Sequence, residues 1–184
     1  MVKYQKHIII MRVQLFEKFI LPENKVETYT GLNEEQLKDA VTISFNQFSE
    51  FHEPNTHGMI RSALIQMTDA DISTAVYVDG KIAGCLLLKN MNVNNTPFIS
   101  DYPSELDDMN GVFGNAFVIL PEYRNTRVIS ILIRELKKLN DRFEYIWFGQ
   151  FDDYTDFIRY GNKSKHICDA NFGYGTIHFY YSLL

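Results

Sequence analysis

One short turn, Pro121-Glu122-Tyr123-Arg124-Asn125-Thr126-Arg127-Val128-Ile129-Ser130, gathers residue types that could do chemistry. It places two arginines and two hydroxyls where an apolar run ends and a helical pattern begins. The first turn of a helix leaves backbone N–H groups without partners and carries the positive end of the helix dipole. Such an end can hold a pyrophosphate. The amides of Arg124, Asn125, Thr126, Arg127, Val128, Ile129 and Ser130 would form the cradle. The two guanidinium groups would add charge, and Thr126 or Ser130 a hydroxyl donor. An ordinary strand-to-helix connection with two solvated arginines is the alternative reading of the same residues.

The elements around the turn must position it. Val112 to Leu120 is apolar almost throughout, Pro121 ends it, and Val128 to Leu139 shows helical spacing, so a buried strand, a turn and a helix are predicted. Upstream, Val26 to Tyr29 predicts a short strand. Asn33 is an N-cap candidate followed by Glu34 and Glu35, and Leu37, Ala40, Val41, Phe45 and Phe48 form one apolar helical face ending near Phe51. The polar break from Phe51 to Gly58 precedes a second short helix, Met59 to Met67. Ile72 to Val78 and Lys81 to Lys89 read as a hairpin on Asp79-Gly80. Residues 90 to 110 read as a long polar loop with an acidic set, Asp101, Glu105, Asp107 and Asp108, that could attract a cation. A strand over Tyr145 to Phe151, a short helix around Tyr154 to Tyr160, and strands near His166 to Ala170 and Tyr174 to Leu183 complete the chain. Residues 1 to 24 form an extension, and residues 25 to 184 a domain. The extension mixes β-rich and helical patterns and could serve as an arm for self-association or a partner.

Composition limits the function classes. A chain of 184 residues with 46% hydrophobic and 14% aromatic content has enough apolar material for one substantial core. A formal net charge of −5 argues against a general nucleic-acid binder, which needs a basic face. Cys85 and Cys168 have no CxxC context and read as free thiols in a reducing compartment. No membrane span and no secretory leader is evident, so a cytoplasmic protein is expected. His52 and His57 have no third ligand spaced with them, so no metal is expected.

Leu120-Pro121-Glu122-Tyr123-Arg124 after a strand and before a helix resembles motif A of the GCN5-related N-acetyltransferases, the GNAT superfamily, whose pattern is Arg/Gln-x-x-Gly-x-Gly/Ala. Arg127 and Ile129 stand where that pattern has small residues. The order of elements from Lys25 to Leu184 is similar to the GNAT topology. The resemblance implies an α/β (α+β) fold: a mixed, mostly antiparallel sheet of about seven strands flanked by about four helices.

The resemblance also implies a site. Acetyl-CoA would be the cofactor, its thioester carbonyl held by backbone N–H groups at a bulge in the fourth strand around Phe117 to Leu120, with Val118 and Leu120 as contacts. Its diphosphate would lie on the Arg124 to Ser130 amides. Asn115 is the polar candidate on that strand, and Glu53, His52 and His57 are candidates for the general base. The family's acid tyrosine falls on Phe157 here, leaving Tyr154 and Tyr160 as nearby substitutes, and Asp152 or Asp153 replaces a family asparagine. Two readings follow. One is a divergent acetyltransferase acting on a primary amine of a small molecule or protein. The other is an inactive GNAT-fold binding or structural protein, such as a phage accessory or virion protein, presenting Phe113, Tyr123, Tyr154 and Tyr160 or the arm.

Overall fold

The computed structural model describes residues 24–50, 52–97, 99–124, 126–151, 164–171 and 176–184. The expected arm apart from Asn24, Asn125, and the expected helix around Tyr154 to Tyr160 lie outside the described residues. Among the described residues there are seven strands: β1 (Val26–Thr30), β2 (Thr74–Val78), β3 (Lys81–Asn90), β4 (Gly111–Ile119), β5 (Tyr145–Phe151), β6 (Lys165–Asn171) and β7 (Thr176–Leu183). They form one sheet in the order β1-β2-β3-β4-β5-β7-β6. Only β4 and β5 run parallel; the other described pairs are antiparallel. Among the described residues, three α-helices accompany the sheet: α1 (Glu34–Ser49), α2 (His57–Gln66) and α3 (Val128–Lys137).

Local chemistry accounts for these boundaries. At the β2–β3 turn, Asp79 and Gly80 have φ of 50° and 76°, the left-handed pair that a two-residue hairpin needs. Asp79 Oδ1 also accepts the Lys25 N–H at 2.8 Å and so fixes the start of β1. Helix α1 begins with a reciprocal capping box, Asn33 Oδ1 accepting from Gln36 N–H at 2.9 Å and Gln36 Oε1 from Asn33 N–H at 3.1 Å.

Two layers of core then sandwich the sheet. Ala40, Val41 and Ile43 of α1 and Leu64 of α2 pack on Ala75, Cys85, Leu87, Ala116 and Val118. Val128, Ile131 and Leu132 of α3 pack on Val76, Ala83, Leu86 and Val112 of the opposite face. Gly84 sets how closely α3 approaches. A Cβ there would lie 2.7 Å from Val118 O and 3.2 Å from Val128 Cγ1, so the first turn of α3 sits against β3 with no room for a methyl group.

The segment from Met91 to Asn110 is the long connection expected, with Asp101, Glu105, Asp107 and Asp108 exposed, and its apolar residues anchor it to the sheet. Val93, Ile99 and Leu106 are buried against Tyr145, Trp147 and Tyr181. Trp147 Nε1 donates to Met91 O at 2.7 Å, and the Val93 N–H donates to the Tyr145 hydroxyl at 3.0 Å. Glu105 receives the Tyr181 hydroxyl and lies 3.0 Å from Lys165 Nζ, so part of the acidic charge is neutralised within the fold. The segment is a packed cover over the end of the sheet.

Gly84→Ala should lower stability by about 1–3 kcal/mol through overpacking, read as a lower urea midpoint; an unchanged midpoint would mean that the β4 backbone at Val118 and the start of α3 both yield at no cost. Tyr181 and then Lys165 hold the Glu105 carboxyl below its usual range. Its contribution is therefore complete above the ordinary carboxylate pKa of about 4.3 and is lost as pH falls through the lowered folded value. Glu105→Gln should flatten the acid limb of a stability-against-pH curve and leave its neutral limb with the same slope.

Candidate active site

The site is built where two strands part. β4 and β5 pair over four positions, Gly111 with Tyr145 through Gly114 with Phe148, and no further. Beyond that point β4 continues to Ile119 against β3, and β5 continues to Phe151 against β7. Each keeps a partner on its outer edge, and among the described residues neither has one on the edge facing the other. The register against β3 identifies the point of departure. Leu87 pairs with Ala116 and Leu88 with Gly114, which leaves Asn115 as the extra residue of a bulge. The bulge lies at Asn115, whereas the sequence reading placed it around Phe117 to Leu120.

A cavity of about 420 Å³ opens at this fork. Leu86 and Ile146 line it from the α3 face of the sheet, Leu64 and Ala116 from the α1/α2 face, so it runs between both layers. Phe48, Met59, Ile60, Ala63 and Met67 extend the apolar wall on the helix side. Polar groups are sparse: His52, Thr56, Asn115 and Gln150. His52 is the titratable side chain among the described lining residues. Gln150 is 8% exposed, and its Oε1 has no hydrogen-bond partner among the described residues. A buried, unpaired carbonyl oxygen is costly unless a donor arrives from elsewhere.

The expected catalytic residues scatter. Asn115 lines the cavity, but its Nδ2 donates to Leu64 O at 3.2 Å and Thr68 Oγ1 at 3.1 Å. It clamps the end of α2 onto the bulge and has no basic atom to offer. Glu53 is exposed and does not line the cavity; its carbonyl caps the Pro54–Thr56 turn by accepting from Thr56. His57 lies outside the cavity with Nε2 3.2 Å from His52 O and its ring edge-on to Phe45. Tyr154 and Tyr160 lie outside the described residues. Sequence reasoning missed Gln150, which has no local signal, since only the fork turns it into the cleft.

The expected cofactor residues divide more evenly. Helix α3 starts at Val128 with Arg127 as its N-cap and no side-chain cap. The N–H groups of Arg127 and Ser130 have no backbone acceptor among the described residues, as a helix start predicts. The Val128 N–H reaches only Thr126 Oγ1, at 3.3 Å. Thr126 is buried and its hydroxyl donates to Tyr123 O at 2.7 Å, so it is not the outward donor expected from sequence. The Arg124 and Thr126 N–H groups are spent on Pro121 O and Tyr123 O. The Arg124 guanidinium bonds Ile119 O and Gln47 Oε1, tying the turn to α1. Arg127 is exposed and Ile129 half-buried. On β4, the Val118 side chain is buried in the α1 layer, and the Leu120 N–H donates to Ala83 O at 3.0 Å, which removes that amide as a thioester contact. Asn125 lies outside the described residues.

No protein-family model matches the chain, and no curated protein sequence matches it. Solved structures do. A chain of the NatC complex bound to Gag peptide and CoA superposes with a TM-score of 0.58 at 13% identity, over 88% of this chain and 99% of that one. The ribosomal-protein-S18-alanine N-acetyltransferase from Escherichia coli gives 0.54 at 12%, over 87% and 93%. The PaiA N-acetyltransferase from Thermoplasma acidophilum, in complex with coenzyme A, gives 0.54 at 12%, over 84% and 98%. The chain therefore has the GNAT fold.

Asn115→Ala should cost about 0.5–1.5 kcal/mol by removing the side-chain bonds to Leu64 O and Thr68 Oγ1, which keep their own bond at 2.6 Å, and should raise amide exchange at the end of α2. Unchanged exchange there would show that the clamp does not hold the helix.

Proposed function

We propose that the chain is a divergent GNAT-fold acyltransferase that moves an acetyl group from acetyl-CoA to a primary amine. The observation that carries this reading is the fork of β4 and β5, with its bulge at Asn115 and a cleft running between the two layers. The unpaired inner edges of the two strands suit a ligand with its own amide donors and acceptors, because buried backbone groups need partners. Gln150 Oε1 adds an acceptor to the same wall. The amides of Arg127 and Ser130 at the start of α3 suit a diphosphate. Two structural neighbours are bound to CoA, which supports the same ligand class here.

In this reading the amine nitrogen attacks the thioester carbonyl, a C–N bond forms, the C–S bond breaks and CoA leaves as the thiol. Backbone N–H groups beside the bulge would stabilise the oxyanion. His52, which lines the cavity, would take the proton that the amine must lose. The apolar wall of Phe48, Met59, Ile60, Ala63 and Met67 favours an acceptor whose amine is carried on an apolar body. Free Cys85 and Cys168 are consistent with the cytosol, and no described helix is long and apolar enough to cross a membrane.

An inactive binding protein is the second reading. It is favoured by Asn115 being spent on α2, and by Arg127 and Ile129 standing at the family's small positions. Its expected aromatic surface is weaker than the sequence implied. Phe113 packs on Trp147 with ring centroids 4.4 Å apart, and Tyr123 packs against the α3 core.

Titration calorimetry with acetyl-CoA should give saturable binding at one equivalent; no heat and no thermal shift at millimolar ligand would sink the acyltransferase reading. The paired change Arg127→Gly with Ile129→Gly should tighten binding about tenfold or more if the side chains crowd the diphosphate, a gain of roughly 1.4 kcal/mol. Weaker binding would instead assign Arg127 as a phosphate ligand.

A further inference from the structure

Three side chains that no acyl-transfer role uses converge on the other side of β5. His166 Nε2 lies 2.6 Å from Asp169 Oδ1, and His178 Nδ1 lies 2.7 Å from the same oxygen. The three potential ligand atoms all lie within 4.8 Å of one another. Two imidazoles and one carboxylate form a donor set suited to zinc and neighbouring divalent transition metals.

The backbone is arranged to bring them together. Residues three apart on a regular strand point to opposite faces of the sheet. His166 and Asp169 are three apart, yet they meet. The register explains it: His166 pairs with Tyr180 and Cys168 with Phe179, so Ile167 is the extra residue of a bulge. That bulge turns His166 onto the face of Asp169. Asp169 in turn pairs directly with His178 across the β6–β7 ladder, which puts the third donor on the same face. The His166 ring rests edge-on against Tyr180, 5.4 Å between centroids, which restricts its rotation.

The geometry points to a divalent-metal site formed by His166 Nε2, Asp169 Oδ1 and His178 Nδ1, taking zinc with water in the remaining position. Metal–ligand bonds near 2.1 Å put tetrahedral ligand atoms about 3.4 Å apart. The carboxylate must therefore swing outward by roughly 0.8 Å from its present hydrogen bonds, while each imidazole presents a lone pair to the ion. All three side chains reach solvent, at 48%, 51% and 25% exposure, so the movement and the entry path are open. The ion would staple β6, the end strand of the sheet, to β7. It would also stiffen the cleft, because His178 is the cross-strand partner of Gln150. Binding does not depend on the acyltransferase reading.

The test uses the full chain, stripped with a chelator and titrated with zinc against a chromogenic competitor. One equivalent should bind with micromolar affinity or tighter, and cobalt in its place should give visible ligand-field bands. His166→Gln, Asp169→Asn and His178→Gln should each weaken binding at least tenfold, while His57→Gln and His7→Gln leave it unchanged. Far-ultraviolet dichroism of each variant separates loss of ligand from loss of fold. Because an ion that binds only the folded state raises its stability, saturating zinc should raise the melting temperature of the parent chain and not of the His166→Gln/His178→Gln pair. No binding at one equivalent, or binding that survives that pair, would overturn the site.

Discussion

The parting of β4 and β5 is the constraint on which the rest depends. A parallel pair needs both strands to offer matched N–H and C=O groups along a shared edge. After Gly114 and Phe148 that matching stops, because Asn115 adds a residue to β4 and shifts its direction against β3. Sheet hydrogen bonds lost inside a folded core are expensive. They persist only where the surroundings hold the fork open or a ligand completes it. Here α2 is anchored over the bulge through Asn115, and the apolar cleft beneath it separates the two strands.

The second feature is that the start of α3 sits against the end of β4, and Gly84 and the Arg124 contacts hold it there from opposite sides. Absence of a side chain at Gly84 lets Val128 sit directly on β3. Arg124, through Ile119 O and Gln47, draws the turn toward α1. The expected charge role of Arg124 thus becomes largely a positioning one, and the exposed Arg127 remains as the cation able to meet an anion at the helix start.

Legibility in the sequence followed the range of the interactions involved. Asp79-Gly80, the Asn33 cap and the Tyr145 to Phe151 strand are written in adjacent residues, and each formed where expected. The mixed, mostly antiparallel sheet was implied by the family resemblance that the order of such pieces carries. The Asn115 bulge was not, because an apolar run such as Val112 to Ile119 has no mark of register and a bulge exists only relative to a partner strand. Residues 90 to 110 showed their loop character but not their packing, for a related reason. Val93, Ile99 and Leu106 are single apolar residues without a period, and their burial depends on the aromatic rows of β5 and β7.

The His166, Asp169 and His178 group carries that reasoning to its limit. On spacing alone, His166 and Asp169 belong on opposite faces, and His178 is a lone histidine in a run of aromatics. Two nonlocal facts reverse that: the extra residue Ile167 and the pairing of Asp169 with His178. A bulge in β4 opens the cleft and a bulge in β6 closes the cluster, so the chemically suggestive places in this fold are those where the strand register breaks. Natural sheets tolerate such breaks where a side chain must be re-aimed. For that reason the register, more than the residue types, locates the chemistry of this chain.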